Sequence, residues 1–145
     1  MVRKKEKLEL ELLVICDYAI ISRDNKLTIA GIFDQIFINK IPSQQPKMFV
    51  VGVIEGKADS AHNLTLQVND PGGKEVFPKQ NLAVKLGPNG KTNLIAQVGN
   101  LPLTSIGTYK VQLGHDGKTI GEKELGVFAS KPQNASPKRA SKYTN

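Results

Sequence analysis

Leu8, Leu10, Leu12, Val14, Cys16, Tyr18 and Ile20 recur at a strict spacing of two, with Glu9, Glu11 and Asp17 standing between them. A helix turning ~100° per residue would scatter these seven side chains around its whole circumference, so the run specifies a β-strand. It predicts a packed even face and an odd face at least partly solvated. The middle of the run, Leu12 to Ile15, is apolar on both faces, which predicts a second layer over that stretch.

The same period continues along the chain. Asp24-Asn25-Lys26 reads as a tight turn, and Leu27, Ile29 and Phe33 then resume the alternation, which predicts a hairpin. Beyond Asp34 the apolar phase moves to Ile36 and Ile38, so a bulge or a switch of sheet is expected at Asp34-Gln35, a sandwich corner. Pro42 and Pro46 are expected to bound a loop, and Met48 to Ile54, almost continuously apolar and β-branched, a central strand covered on both sides. Turn chemistry recurs at Asp70-Pro71-Gly72-Gly73, Pro88-Asn89-Gly90 and Asp116-Gly117. Between these lie Leu64/Leu66/Val68, Leu82/Val84/Leu86, Leu94/Ala96/Val98, Tyr109/Val111/Leu113 and Leu125/Val127, all at spacing two. The pattern predicts an all-β, immunoglobulin-like β-sandwich of roughly eight or nine strands with no substantial helix. Gly107-Thr108-Tyr109 resembles the tyrosine corner of such domains, in which the hydroxyl ties back to nearby backbone. Val111 stands where an antibody domain has its second cysteine and there is no tryptophan, so the likeness is to the architecture alone.

A chain of 145 residues with 39% hydrophobic and 23% charged residues fits one domain with a core of its own. We divide it into a flexible basic N-terminus (1–7), the sandwich (8–129) and a disordered basic tail (130–145) rich in Ser, Pro, Asn and Lys. The net charge of +7 is uneven: residues 1–11 hold four basic and three acidic side chains, whereas 130–145 hold Lys131, Lys138, Arg139 and Lys142 with no acid. The sandwich between them is close to balanced, so a nucleic-acid reading rests on the tail, with Lys138 and Arg139 as the candidate contacts.

The single cysteine, Cys16, cannot close an intramolecular bridge, which points to a reducing, cytoplasmic setting. Arg3-Lys4-Lys5 before an apolar stretch resembles a signal peptide, but Glu9, Glu11 and Asp17 interrupt the hydrophobic region. Ile15 occupies the place where a lipoprotein box needs a small residue. No run approaches the ~20 apolar residues of a membrane-spanning helix.

No catalytic or cofactor motif emerges. Gly87-Pro88-Asn89-Gly90-Lys91-Thr92 ends like a phosphate-binding loop, but position 85 is Lys85 and an alternating strand comes next where the motif needs a helix, so a β-hairpin is expected. His62 and His115, the two histidines, adjoin turn signals, with no paired nucleophile in view. They are also too few, with Cys16, for a structural zinc site. Cys16 itself is expected to be core filler. Asp17, Asp34, Asp70 and Asp116 match no calcium loop, and turns explain the last two. Asp17 and Asp34 lie in or beside apolar strand sequence where an unpaired carboxylate is expensive; capping of amides or pairing with Arg23 or a lysine is expected, with a metal or hydrolytic site at Asp17/Asp34 as the alternative.

Cys16-Asp17-Tyr18-Ala19, then Asp24-Asn25-Lys26-Leu27 and Gly31-Ile32-Phe33-Asp34, resembles the opening of a family of small uncharacterised bacterial all-β proteins with CDYA-, DGKL- and GIFD-like segments. Asn25 replaces the turn glycine and tolerates the same left-handed backbone. The resemblance covers 8–129 and implies a bacterial, cytoplasmic β-sandwich with no activity attached. Asp17, Asp34 and Tyr109 are the positions to follow. The expected function is a non-enzymatic binding or scaffold module without cofactor, its expected partner another protein; weak nucleic-acid association through the basic ends is the alternative.

Overall fold

The computed structural model describes residues 7–130. The expectations for 1–6 and for 131–145, including Lys138 and Arg139, lie outside the described residues. Nine strands succeed one another in chain order: β1 (Glu9–Ile21), β2 (Leu27–Ile32), β3 (Gln35–Ile38), β4 (Ser43–Glu55), β5 (Ala61–Asn69), β6 (Glu75–Lys85), β7 (Lys91–Leu103), β8 (Gly107–His115) and β9 (Lys118–Ala129). They form two sheets, β2-β1-β4-β7 and β3-β9-β8-β5-β6, an immunoglobulin-like β-sandwich with no helix among the described residues.

The alternating runs supply the core between the sheets. Leu66, Val68, Ala96, Val98, Tyr109, Val111, Leu125 and Val127 join one cluster with Met48 and Val50, and Leu64, Leu86, Leu94 and Leu113 close one end of the sandwich. Met48 to Ile54 is the expected central strand, hydrogen-bonded to β1 on one side and β7 on the other.

The β1 alternation is more complicated than its spacing suggests. A register shift between Leu10 and Leu12 inserts an extra residue at Glu11, and a bulge of this kind reverses which residues face inward. Beyond it the sandwich core receives Leu13 and Ile15. The even residues Val14 and Cys16, with Phe49 and Val51 opposite them in β4, build a separate cluster on the outer face of the four-stranded sheet. Burial there raises the Cys16 thiol above its ordinary pKa. A thiol reagent should therefore label Cys16 roughly a hundredfold more slowly in native than in urea-unfolded protein; equal rates would contradict this packing.

Two connections differ from expectation. Pro46 lies inside β4, in the stretch Ser43–Lys47 that pairs only with β7; lacking a neighbour on its other side, this stretch tolerates a residue without an N–H. The Gly87–Thr92 segment is a tight turn, with Gly87 N–H donating to the Lys91 carbonyl at 2.9 Å. The strands it joins enter different sheets, so it is an inter-sheet link and no hairpin ladder. The switch of sheet at Asp34-Gln35 is present: β2 belongs to one sheet and β3 to the other, and the Asp34 carbonyl accepts from Gly126 N–H at 2.8 Å.

Candidate functional site

The register of β1 places one of two exposed apolar surfaces. Residues Glu9 to Ile15 pair with β4, Cys16 pairs with both neighbours, and Tyr18 to Ile21 pair with β2 alone. The end of β1 and all of β2 thus form a two-stranded ribbon leaving the body of the sheet. Tyr18 (49% exposed), Ile20 (46%), Ile21 (38%) and Ile32 (61%) lie on it. The spacing alone puts Tyr18 and Ile20 on the packed face. They are exposed because β4 and the rest of its sheet no longer accompany β1 beyond Cys16. Ala19, Leu27 and Ile29 pack onto the outer cluster, and Tyr18 meets Phe49 edge-on at 6.2 Å between centroids, which ties the ribbon to the sheet.

Local chemistry fixes the ribbon at both ends. At the turn, Asn25 takes a φ of 63°, and Asn25 N–H donates to the Ser22 carbonyl at 2.9 Å while Lys26 N–H donates to the Ser22 hydroxyl at 3.0 Å. The Ser22 hydroxyl donates to the Asp24 carboxylate, which it holds below the usual carboxylate range together with Lys26 at 3.3 Å. At the base, Gly31 has a φ of 70°, and a Cβ there would come 2.5 Å from Asp17 Oδ2. Asp17 therefore lies over the glycine, whose left-handed backbone favours a residue without a side chain.

Asp17 and Asp34 are both exposed, so neither bears the desolvation that the apolar sequence around them suggests. Among the described residues no group of three or more potential metal ligands comes together. Tyr109 is fully buried; its hydroxyl donates to the Ser105 carbonyl at 2.9 Å and accepts from the N–H groups of Thr104 and Ser105 at 3.1 and 3.2 Å.

No local sequence signal points to the contact between His62 and His115, whose rings meet at 5.1 Å between centroids. His62 Nε2 is 2.7 Å from Ser60 Oγ, and that hydroxyl donates its one proton to the Lys57 carbonyl at 2.6 Å. Asp116 stands 3.6 Å from His115, beside the other ring. Elsewhere Lys91 holds Glu11 at 2.6 Å and keeps its carboxyl below the ordinary range, while the Glu11 hydrogen bond pushes Glu55 upward. All three lie on open surface.

A second apolar surface surrounds a depression of about 270 Å³ between Ile38, Ile41, Ile106 and Ala129; the chain neighbours Phe37 and Phe128 are exposed, their rings tilted at 31° and 5.7 Å apart. It adjoins Ser130, where the described residues end.

Among solved structures the chain is similar to a β-glucosidase from Listeria innocua, at 10% identity and a TM-score of 0.51, over 87% of this chain and 16% of that one. It is also similar to an immunoglobulin-like protein from Pseudomonas aeruginosa, at 15% identity and a TM-score of 0.46, over 83% of this chain and 96% of that one. The chain thus spans about 16% of the length of the β-glucosidase, and at such identity the likeness concerns the fold. A search of curated proteins finds no sequence match. A family model does match, over residues 11–128, and the chain accordingly belongs to the family of unknown function DUF6941.

Proposed function

We propose that this domain is a non-enzymatic protein-interaction module that docks through the β1–β2 ribbon. The observation that carries this reading is the gathering of Tyr18, Ile20, Ile21 and Ile32, all substantially exposed, on one two-stranded element. Apolar side chains left in water on an edge ribbon gain free energy when a partner covers them. The open strand edge beside them can add hydrogen bonds from an extended segment.

The test is capture from cell extract by the full chain and by its Ile32→Lys variant. Ile32 is 61% exposed, so the lysine leaves the fold intact, and a bound protein should fall at least about tenfold in recovery. Equal recovery by both forms would overturn the ribbon as the docking surface. Nucleic-acid association through Lys138 and Arg139 is the competing reading, carried by the acid-free segment 130–145; it predicts capture abolished by nuclease and falling steeply with salt.

A further inference from the structure

We infer that the end of the sandwich formed by the loops after β3 and before β8 docks on an anionic lipid bilayer. This surface is separate from the β1–β2 ribbon and stands or falls independently of the function proposed for that ribbon. Two loop tips carry it. Ile41 lies in the link from β3 to β4 and Ile106 in the link from β7 to β8; both are exposed, and both line the depression that Ile38 and Ala129 floor. Phe37 and Phe128, paired with each other one step before Ile38 and Ala129 in the β3–β9 ladder, add two exposed rings. The loop presenting Ile106 is anchored, since the hydroxyl of the fully buried Tyr109 bonds the Ser105 carbonyl and the N–H groups of Thr104 and Ser105. An apolar side chain on a fixed tip leaves water when an apolar phase is brought to it.

Charge identifies that phase. Lys40 stands exposed beside Ile41, and neither residues 39–42 nor 104–106 include an acid. Pro71 of the β5–β6 turn lies against Gly107, and that turn adds one acid, Asp70, and one base, Lys74. The nearest acids along β3 and β9, Asp34 and Glu124, stand three residues before Phe37 and four before Phe128, roughly 10 Å or more along a strand. The chain also leaves the described domain here: Ser130 N–H donates to the Ile38 carbonyl at 2.7 Å, and Lys131 follows directly, opening a segment that adds Lys138, Arg139 and Lys142 with no acid. Apolar tips with cations beside them match the two layers of a bilayer surface, acyl chains for the isoleucines and anionic headgroups for the lysines and arginine. A nucleic acid would use the cations and leave the isoleucine tips without a role. Among the described residues no helix is long and apolar enough to cross a membrane; the contact inferred here is with the bilayer surface.

Flotation of the full chain with vesicles of phosphatidylcholine alone, and of phosphatidylcholine with about one-third phosphatidylglycerol, reads the contact. Wild type should float with the anionic vesicles at low salt and stay behind with the neutral ones. Ile41→Asn combined with Ile106→Asn keeps the net charge and should weaken vesicle binding at least about tenfold. Lys131→Gln, Lys138→Gln, Arg139→Gln and Lys142→Gln together should weaken it at least about a hundredfold. Ile32→Asn, on the ribbon, should bind as wild type does, and circular dichroism melts confirm that each variant folds. Absence of flotation with anionic vesicles would overturn the inference. So would full binding by the Ile41→Asn/Ile106→Asn variant, which would reduce the contact to charge alone, or an equal loss in Ile32→Asn, which would move the contact to the ribbon.

Discussion

Replacing Gly90 with alanine should lower the stability of this domain by about 2–4 kcal/mol, as the sum of backbone strain and a steric conflict. Gly90 has a φ of 75°, and a Cβ there would lie 2.5 Å from the Gly56 carbonyl oxygen. That oxygen is backbone and cannot swing aside. Gly56 N–H in turn donates to the Gly90 carbonyl at 2.8 Å, so the two glycines clasp the β6–β7 turn to the segment after β4. Gly117 provides the control. Its φ of 76° is nearly the same, yet nothing lies within 4 Å of its added Cβ. Gly117→Ala should therefore cost only the left-handed strain, about 1–2 kcal/mol. Urea titration of both variants measures the difference, and equal losses would show that the clasp between the glycines does not constrain the fold.

Tyr109→Phe should cost about 1–3 kcal/mol although it removes one atom, because three partly buried backbone groups lose their partner together. The ring fills the core with no exposed surface, and phenylalanine keeps that packing. The Ser105 carbonyl and the Thr104 and Ser105 N–H groups would lose the hydroxyl that now satisfies them. These groups lie in the link from β7 to β8, where the chain passes between sheets, so the loss should appear as faster unfolding and as local hydrogen exchange at 104–107. Tyr18→Phe, altering a half-exposed hydroxyl, should leave stability unchanged within about 0.5 kcal/mol. Similar losses for both tyrosines would show that the corner does not anchor the fold.

The core was legible wherever strands keep a regular pleat between two sheets. Leu64/Leu66/Val68 and Tyr109/Val111/Leu113 are fully buried as their spacing implies. β1 was harder because one unbroken apolar alternation spans three environments: a bulge that reverses the facing residues, an outer cluster around Cys16, and a ribbon in water. Spacing records which residues share a side of a strand and carries no information on what lies over that side. For the same reason Gly87–Thr92 announces a turn without saying that its strands part into different sheets. Turn chemistry is local, whereas strand partnership depends on residues far along the chain. Adjacent apolar residues at Ile20-Ile21 and Ile32-Phe33, on both faces of a hairpin with a charged turn, were the available signal for the docking ribbon. Asp17 drew attention as an acid within apolar sequence; it lies beside Gly31 at the point where β1 leaves β4.

Hydrogen exchange of the β2 amides, in the dilute free protein and in its associated form, tests most directly whether this ribbon is where the domain docks. Docking through the ribbon predicts that the amides of Leu27–Ile32 exchange rapidly in the free chain, faster than those of the central strand β8, and gain at least about tenfold protection on association. Unchanged exchange in β2 with new protection at β3, β6 or the Phe37–Phe128 surface would contradict it.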